Sequence, residues 1–229
     1  MLEIEFFQAR HGDGGAAGTG CWPHDDGLLL GLATDVGNGA AGFATQLALD
    51  VIAREMERAP GAWPVAKRLR RAVQEVNLDL HGKALVVPEL HGTAAALTAS
   101  VIAGGLLVTA HVGTSRLVLV RDGRPRQLTK DHTGPFARAL GPELVVAVDV
   151  LRIAVRTGDV VAHVSDGLWA LVREAEIAEL LVAHRPEGAC RALVRRAREE
   201  GAERDVAVQV AAVTAAAANG ARPWWRLGG

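Results

Sequence analysis

The sequence predicts an α+β fold, and three observations carry that prediction. Apolar residues recur with a period of two in some blocks and with the helical period in others. The blocks run strands, two helices, a run of strands, two helices and a strand, which is segregated and unlike the alternating pattern of a doubly wound sheet. Hydrophobic residues make up 49% and charged residues 22% of 229, ample material for a packed core. That length suits one large domain or two small ones, with the size prior favouring one.

Residues 2 to 9 alternate apolar and polar as a strand does, and the Leu28–Thr34 run reads as a buried strand stopping at Asp35. After the glycines at 37 and 39 a helix is expected over roughly 41 to 57, with Phe43, Leu47 and Val51 on one face. A second helix is marked by Val65, Leu69, Ala72, Val73, Val76 and Leu80. From 93 to 122 the period switches to two, giving three strands separated by Gly104-Gly105, a hairpin signal, and by Gly113-Thr114. Asp122-Gly123 marks another tight turn into Arg126–Leu128. Strands follow at 150 to 155 and 159 to 165, helices at about 174 to 184 and 187 to 200, and a last strand at 206 to 213. The domain is expected to span 1–214, with an Ala-rich tail over 215–229 that carries Trp224-Trp225.

With 25 basic and 26 acidic residues, the formal net charge of −1 argues against a nucleic-acid coat or a polybasic membrane binder. No apolar run reaches the ~18 to 20 residues that span a bilayer. Met1–Phe7 has neither a basic n-region nor a cleavage pattern. Cys21 and Cys190 lie too far apart for a zinc ribbon or a disulfide framework, so a reducing cytoplasmic compartment is expected.

The chemistry is carried by aspartates. Asp35 ends a buried strand, Asp166 follows the apolar strand Val160–Val164, Asp205 precedes the final strand and Asp13 follows the first. Carboxylates at strand ends converge when those strands are neighbours, and hard divalent cations require oxygen ligands of this kind.

Segments in the same order resemble the metal-dependent protein phosphatases (PPM, or type 2C). They are ATDVGNGAAGFATQLAL at 33 to 49, GTAAALT at 92 to 98, VTAHVGTSRLVLVRDGRPRQLTKDHT from Val108, ARALG at 137 to 141, GDVVAHVSDGLW at 158 to 169 and the final RDVAVQVAAV. The resemblance implies a four-layer α-β-β-α sandwich of two antiparallel sheets flanked by helix pairs. It implies hydrolysis of phosphoserine or phosphothreonine in proteins by a metal-activated water, with two ions, Mn2+ or Mg2+. Asp35 would bridge both ions, Asp166 and Asp205 would complete one, the Val36 carbonyl would serve the other, and Asp13 would hold metal-bound water. Arg10 would bind phosphate. The implied partner is a phosphorylated protein substrate, a Ser/Thr kinase or a phosphorylated regulator, in bacterial-type signalling.

The departures are specific. Gly12-Asp13 stands where the family has Glu-Asp, and Asp35-Val36 where it has Asp-Gly; both resemble the bacterial partner-switching branch. Thr114 replaces an aspartate tied to a third, weaker metal, whereas Asp205-Val206 keeps the carboxylate of Asp-Asn. The missing acids motivate an alternative, a degenerate pseudophosphatase acting as a binding module. A small-molecule phosphomonoesterase ranks last.

Bland readings stand beside these. Asp35 suits an ordinary helix cap, Glu203-Arg204-Asp205 a solvated turn, Thr114-Ser115 a tight turn, and Arg116 a structural pair. His11 and His24 lack zinc spacing with Asp25 and Asp26, so solvated loops are expected there. Gly12–Gly20 is glycine-rich but lacks the Lys-Ser/Thr of a phosphate-binding loop.

Overall fold

The structure, a computed structural model, describes residues 2–25, 27–134 and 137–215. Its strands are β1 (Glu3–His11), β2 (Ala17–His24), β3 (Gly27–Asp35), β4 (Ala95–Ala103), β5 (Leu106–Val112), β6 (Arg116–Arg121), β7 (Arg124–Gln127), β8 (Asp149–Ala154), β9 (Val160–Val164) and β10 (Val206–Ala215). Its helices are α1 (Phe43–Arg58), α2 (Val65–Val86), the single turn α3 (Asp166–Trp169), α4 (Glu174–Ala183) and α5 (Pro186–Glu199). One antiparallel sheet has the order β1-β10-β9-β6-β7 and the other β2-β3-β4-β5-β8.

Side-chain alternation builds three apolar layers from these two sheets. Leu29 and Ala33 of β3, Val101 of β4 and Val108 of β5 face α1 and α2, meeting Leu49, Ile52, Met56, Leu69, Val73, Val76 and Leu80. Leu30, Ile102 and Leu107 point the other way, between the sheets, against Leu117, Leu119, Val161 and Val213. The outer face of the first sheet packs Val164, Val206, Val208 and Val210 on Leu181, Cys190, Leu193 and Ala197 of α4 and α5. The result is the expected four-layer sandwich.

A buried polar seam crosses the middle layer. Ser100 Oγ on β4 lies 2.8 Å from His163 Nε2 on β9, and Thr109 Oγ1 lies 2.7 Å from Ser100 Oγ. His163 Nδ1 meets Gln209 Oε1 at 3.1 Å, and Gln209 Nε2 donates to Gly20 O of β2 at 2.8 Å. The amide oxygen only accepts, so the imidazole proton sits on Nδ1 and Nε2 accepts from Ser100.

Two local expectations change. The expected element order has no strand between His11 and Leu28, whereas Ala17–His24 forms the edge strand β2, paired with β3 from Ala17↔Thr34 to His24↔Gly27. Its edge position tolerates Pro23, because one side of the strand needs no ladder partner. His11 and His24 therefore lie on strands and not in solvated loops. Gly113-Thr114 separates two strands as expected, and because β5 and β6 lie in different sheets this turn crosses the sandwich. By contrast Gly104 and Gly105, with φ of 56° and 76°, form the anticipated hairpin between β4 and β5. Trp224 and Trp225 of the tail, and Asp26, lie outside the described residues.

Candidate active site

Three strand ends from both sheets meet at one edge of the sandwich. β9 and β10 pair from Val164↔Val208 onward, and beyond that pair Ser165 N donates to Ala207 O at 3.0 Å while Ala207 N donates to Ser165 Oγ at 2.9 Å. These bonds set Asp166 beside Asp205. Ala16 then joins the other sheet to this one: its carbonyl accepts Asp35 N at 2.7 Å and its N–H donates to Asp205 Oδ2 at 2.6 Å. Asp35, Asp166 and Asp205 consequently line one cavity of about 200 Å³, together with Ala16, Ala17, Thr34, Glu203 and Arg204.

Each carboxylate already has a protein donor. Asp35 Oδ2 accepts Gly42 N at 2.6 Å, and Oδ1 accepts Thr45 N at 2.7 Å, with the Thr45 hydroxyl 2.8 Å away. Asp35 is thus a remote cap of α1, placing its charge at the positive helix end. Asp166 Oδ1 accepts Gly167 N at 3.0 Å, and its Oδ2 lies 3.0 Å from Arg204 Nη1. Because these groups turn toward separate donors, among the described residues no three Asp, Glu, His or Cys side chains are drawn onto a single ion position. The shared cavity and that absence describe one arrangement, in which the carboxylates face a common space without pointing at a common centre.

The donor set nonetheless suits hard divalent cations. A carboxylate offers about four lone-pair sites, so one or two N–H donors leave capacity for a cation. Thr34, 2% exposed, lines the same cavity, and its buried hydroxyl has no hydrogen-bond partner. Gly12 also fits around this centre: a Cβ there would stand 1.9 Å from Asp205 Oδ1, at a φ of 114° that an L side chain rarely adopts.

The remaining expected residues fall outside this cavity. Val36 is exposed and lines a neighbouring cavity of about 700 Å³ with Gly113, Thr114, His132 and Arg138. Asp13 is exposed in the turn between β1 and β2. Arg10 lines a separate cavity of about 450 Å³ with Gln8, Thr45 and Gln46. Ala9 packs toward α4 and α5, so Arg10, one residue on, faces β2 and α1 instead. Sequence reasoning missed Ala16, Thr34, Thr45 and Arg204. Of these only Arg204 carried a signal, its adjacency to Asp205.

A two-sheet α+β sandwich with acidic strand ends at one edge is the arrangement that the sequence resemblance to the metal-dependent phosphatases implies. The chain belongs to that family: residues 31–135 match the family model described as "Protein phosphatase 2C". It is 33% identical over 208 residues to the serine/threonine protein phosphatase PstP of Mycobacterium tuberculosis, covering 81% of this chain and 40% of the relative. It is 34% identical over 139 residues to the serine/threonine phosphatase Stp of Listeria innocua, covering 51% of this chain and 55% of the relative. The chain thus spans about half the length of these curated relatives. Among solved structures, the PstP catalytic domain in complex with two manganese ions superposes with a TM-score of 0.80 at 28% identity, over 93% of this chain and 99% of that one. A bacterial serine phosphatase superposes with a TM-score of 0.83 at 21% identity, over 95% of this chain and 100% of that one, a likeness of fold. Stp and PstP give no specific support to the partner-switching branch.

Proposed function

We propose that this protein hydrolyses phosphoserine and phosphothreonine in proteins, with two Mn2+ or Mg2+ ions held by Asp35, the Val36 carbonyl, Asp166 and Asp205. The observation that carries the proposal is the meeting of Asp35, Asp166 and Asp205 from three strand ends at one cavity. The two-manganese structure of PstP supports the choice of ions. Bound ions supply Lewis acidity and activate water at neutral pH.

The chain's own groups do the positioning. Ala16 fixes Asp205 relative to Asp35, and the first turn of α1 holds Asp35 in place. Cysteine nucleophilic chemistry is disfavoured: burial pushes the Cys190 thiol up to about 12 and raises that of Cys21. Arg10, Asp13 and the Val36 side chain stand outside the cavity, so the proposal places the metal-binding core in Asp35, Asp166 and Asp205. Among the described residues no helix is long and apolar enough to cross a membrane. A cytoplasmic setting and a kinase-modified protein substrate complete the proposal.

One observation favours the alternative of a degenerate binding module, namely the protein donors already facing each carboxylate. The test is hydrolysis of p-nitrophenyl phosphate and a phosphothreonine peptide with manganese, magnesium or EDTA, comparing wild type with Asp166→Asn. Asp166 is a cleaner target than Asp35, which also caps α1. Turnover abolished by both EDTA and the substitution establishes the phosphatase. A folded protein without turnover in any metal establishes the alternative.

A further inference from the structure

Arg204 is the cation of the aspartate cavity. It lines that cavity, Nη1 lies 3.0 Å from Asp166 Oδ2, and its side chain is 64% exposed while that of Asp166 is 14% exposed. The guanidinium therefore reaches in from the rim and neutralises a carboxylate that the proposed function assigns to a metal ion. The backbone holds it there. Arg204 precedes Asp205, whose carboxylate is tied to Ala16, and its Cβ lies 3.6 Å from the position a Cβ on Gly167 would occupy. Arg10, the arginine expected at the phosphate, faces another cavity.

We propose that Arg204 has two alternative partners: Asp166 while the aspartate cavity lacks a cation, and the phosphate of the substrate once Asp166 coordinates one. The inference rests on the proposed phosphatase function for its second half only. A divalent ion arriving at Asp166 Oδ2 repels the guanidinium already there, so the ion and Arg204 compete for that oxygen. The displaced group stays at the rim because its backbone does not move. There its planar fork of N–H donors matches a phosphate dianion in a bidentate way that an ammonium does not.

The test is manganese binding by isothermal calorimetry, followed by kinetics on p-nitrophenyl phosphate, for wild type, Arg204→Ala and Arg204→Lys. Arg198→Ala, an exposed change on α5, controls for the loss of one positive charge. Removing a partly exposed competing ion pair is expected to tighten manganese binding by about two- to fivefold in Arg204→Ala. In the same variant KM for the phosphate ester is expected to rise roughly tenfold or more, with Arg204→Lys recovering part of it. Manganese affinity that is unchanged or weaker in Arg204→Ala, relative to Arg198→Ala, overturns the first half of the proposal. An unchanged KM overturns the second. If wild type binds no manganese but Arg204→Ala does, the ion-pair half stands and the proposed function of the natural chain fails. If neither binds it, both fail.

Discussion

The guanidinium carbon of Arg116 lies 3.7 Å from the centroid of the Trp169 ring, and the Nε1 of that indole donates to Thr114 O at 2.9 Å. Asp131 pairs with the same guanidinium, with Arg116 Nη2 2.7 Å from Oδ2. This stack ties the turn that crosses between the sheets to α3, the single turn beginning at Asp166. It is a structural pair, and it fixes Thr114 in the wall of the neighbouring cavity that Val36 lines.

Arg116→Ala should therefore destabilise the fold and loosen α3. A cation–π contact and a partly buried, two-pronged ion pair together make the expected loss about 1–3 kcal/mol. Urea unfolding followed by tryptophan fluorescence measures it, and a midpoint identical to wild type would show that the stack contributes nothing.

Gly12→Ala tests the cradle around Asp205. The new Cβ would stand 1.9 Å from Asp205 Oδ1 in a backbone conformation with φ of 114°, so the carboxylate must move or the turn must open. The expected result is a stability loss of about 1–3 kcal/mol and a manganese affinity at least tenfold weaker. Calorimetry on the folded variant separates the two effects. Affinity equal to wild type would mean that Asp205 is not a ligand.

Asp35→Asn should cost stability even in EDTA. The two carboxylate oxygens of Asp35 accept the backbone N–H groups of Gly42, just before α1, and of Thr45 in its first turn, and an Asn side chain can offer only one acceptor oxygen. The expected loss is about 1–2 kcal/mol. Asp166→Asn, whose cationic partner is the exposed Arg204, should lose less than about 1 kcal/mol under the same conditions. Equal losses in chelator would remove the capping role from Asp35.

The element order and the helix pairs were legible because each is an amphipathic stripe or a buried run that tertiary context reinforces. β2 was not, because Gly18, Gly20 and Pro23 interrupt its pattern. The structure explains them: a Cβ at Gly18 would meet Thr45 Cγ2 at 2.8 Å, and Pro23 sits on a sheet edge. Asp35, Asp166 and Asp205 could be picked out as strand-end carboxylates. The pairing of Arg204 with Asp166 could not, since it depends on β9 and β10 being neighbours, a fact separated by some forty residues of chain. The Asp35 cap on α1 was foreseeable as an alternative to metal binding. The two roles are compatible in the proposed site, because the capping donors leave lone pairs free.

Acid should unfold this protein over a window set by two buried histidines. His163 is 1% exposed, and burial lowers its pKa from 6.5 to about 4, only partly opposed by Gln209. Its hydrogen-bond partners are Ser100 and Gln209, both neutral. Burial, then the neighbouring His132, lowers His111 to about 4 as well, opposed by the Lys130 carbonyl and by Asp149 and Asp131. Both rings stay neutral in the fold while the unfolded chain binds protons below its pKa near 6.5. Stability is therefore full above about pH 6.5, falls as the pH drops toward 4, and loses no more to these two groups below that. Each site contributes a slope of about 1.4 kcal/mol per pH unit inside the window, on the order of 3 kcal/mol in total. Denaturant unfolding at half-unit steps from pH 7 to 4.5 measures the slope, and carboxylate contributions cancel in the comparison with His163→Gln. That variant keeps a polar side chain in the seam without a titrating group, so its slope should be shallower by about one proton. A slope unchanged by the substitution would mean that His163 takes up its proton in the folded state, and the seam between the sheets would then tolerate a charge.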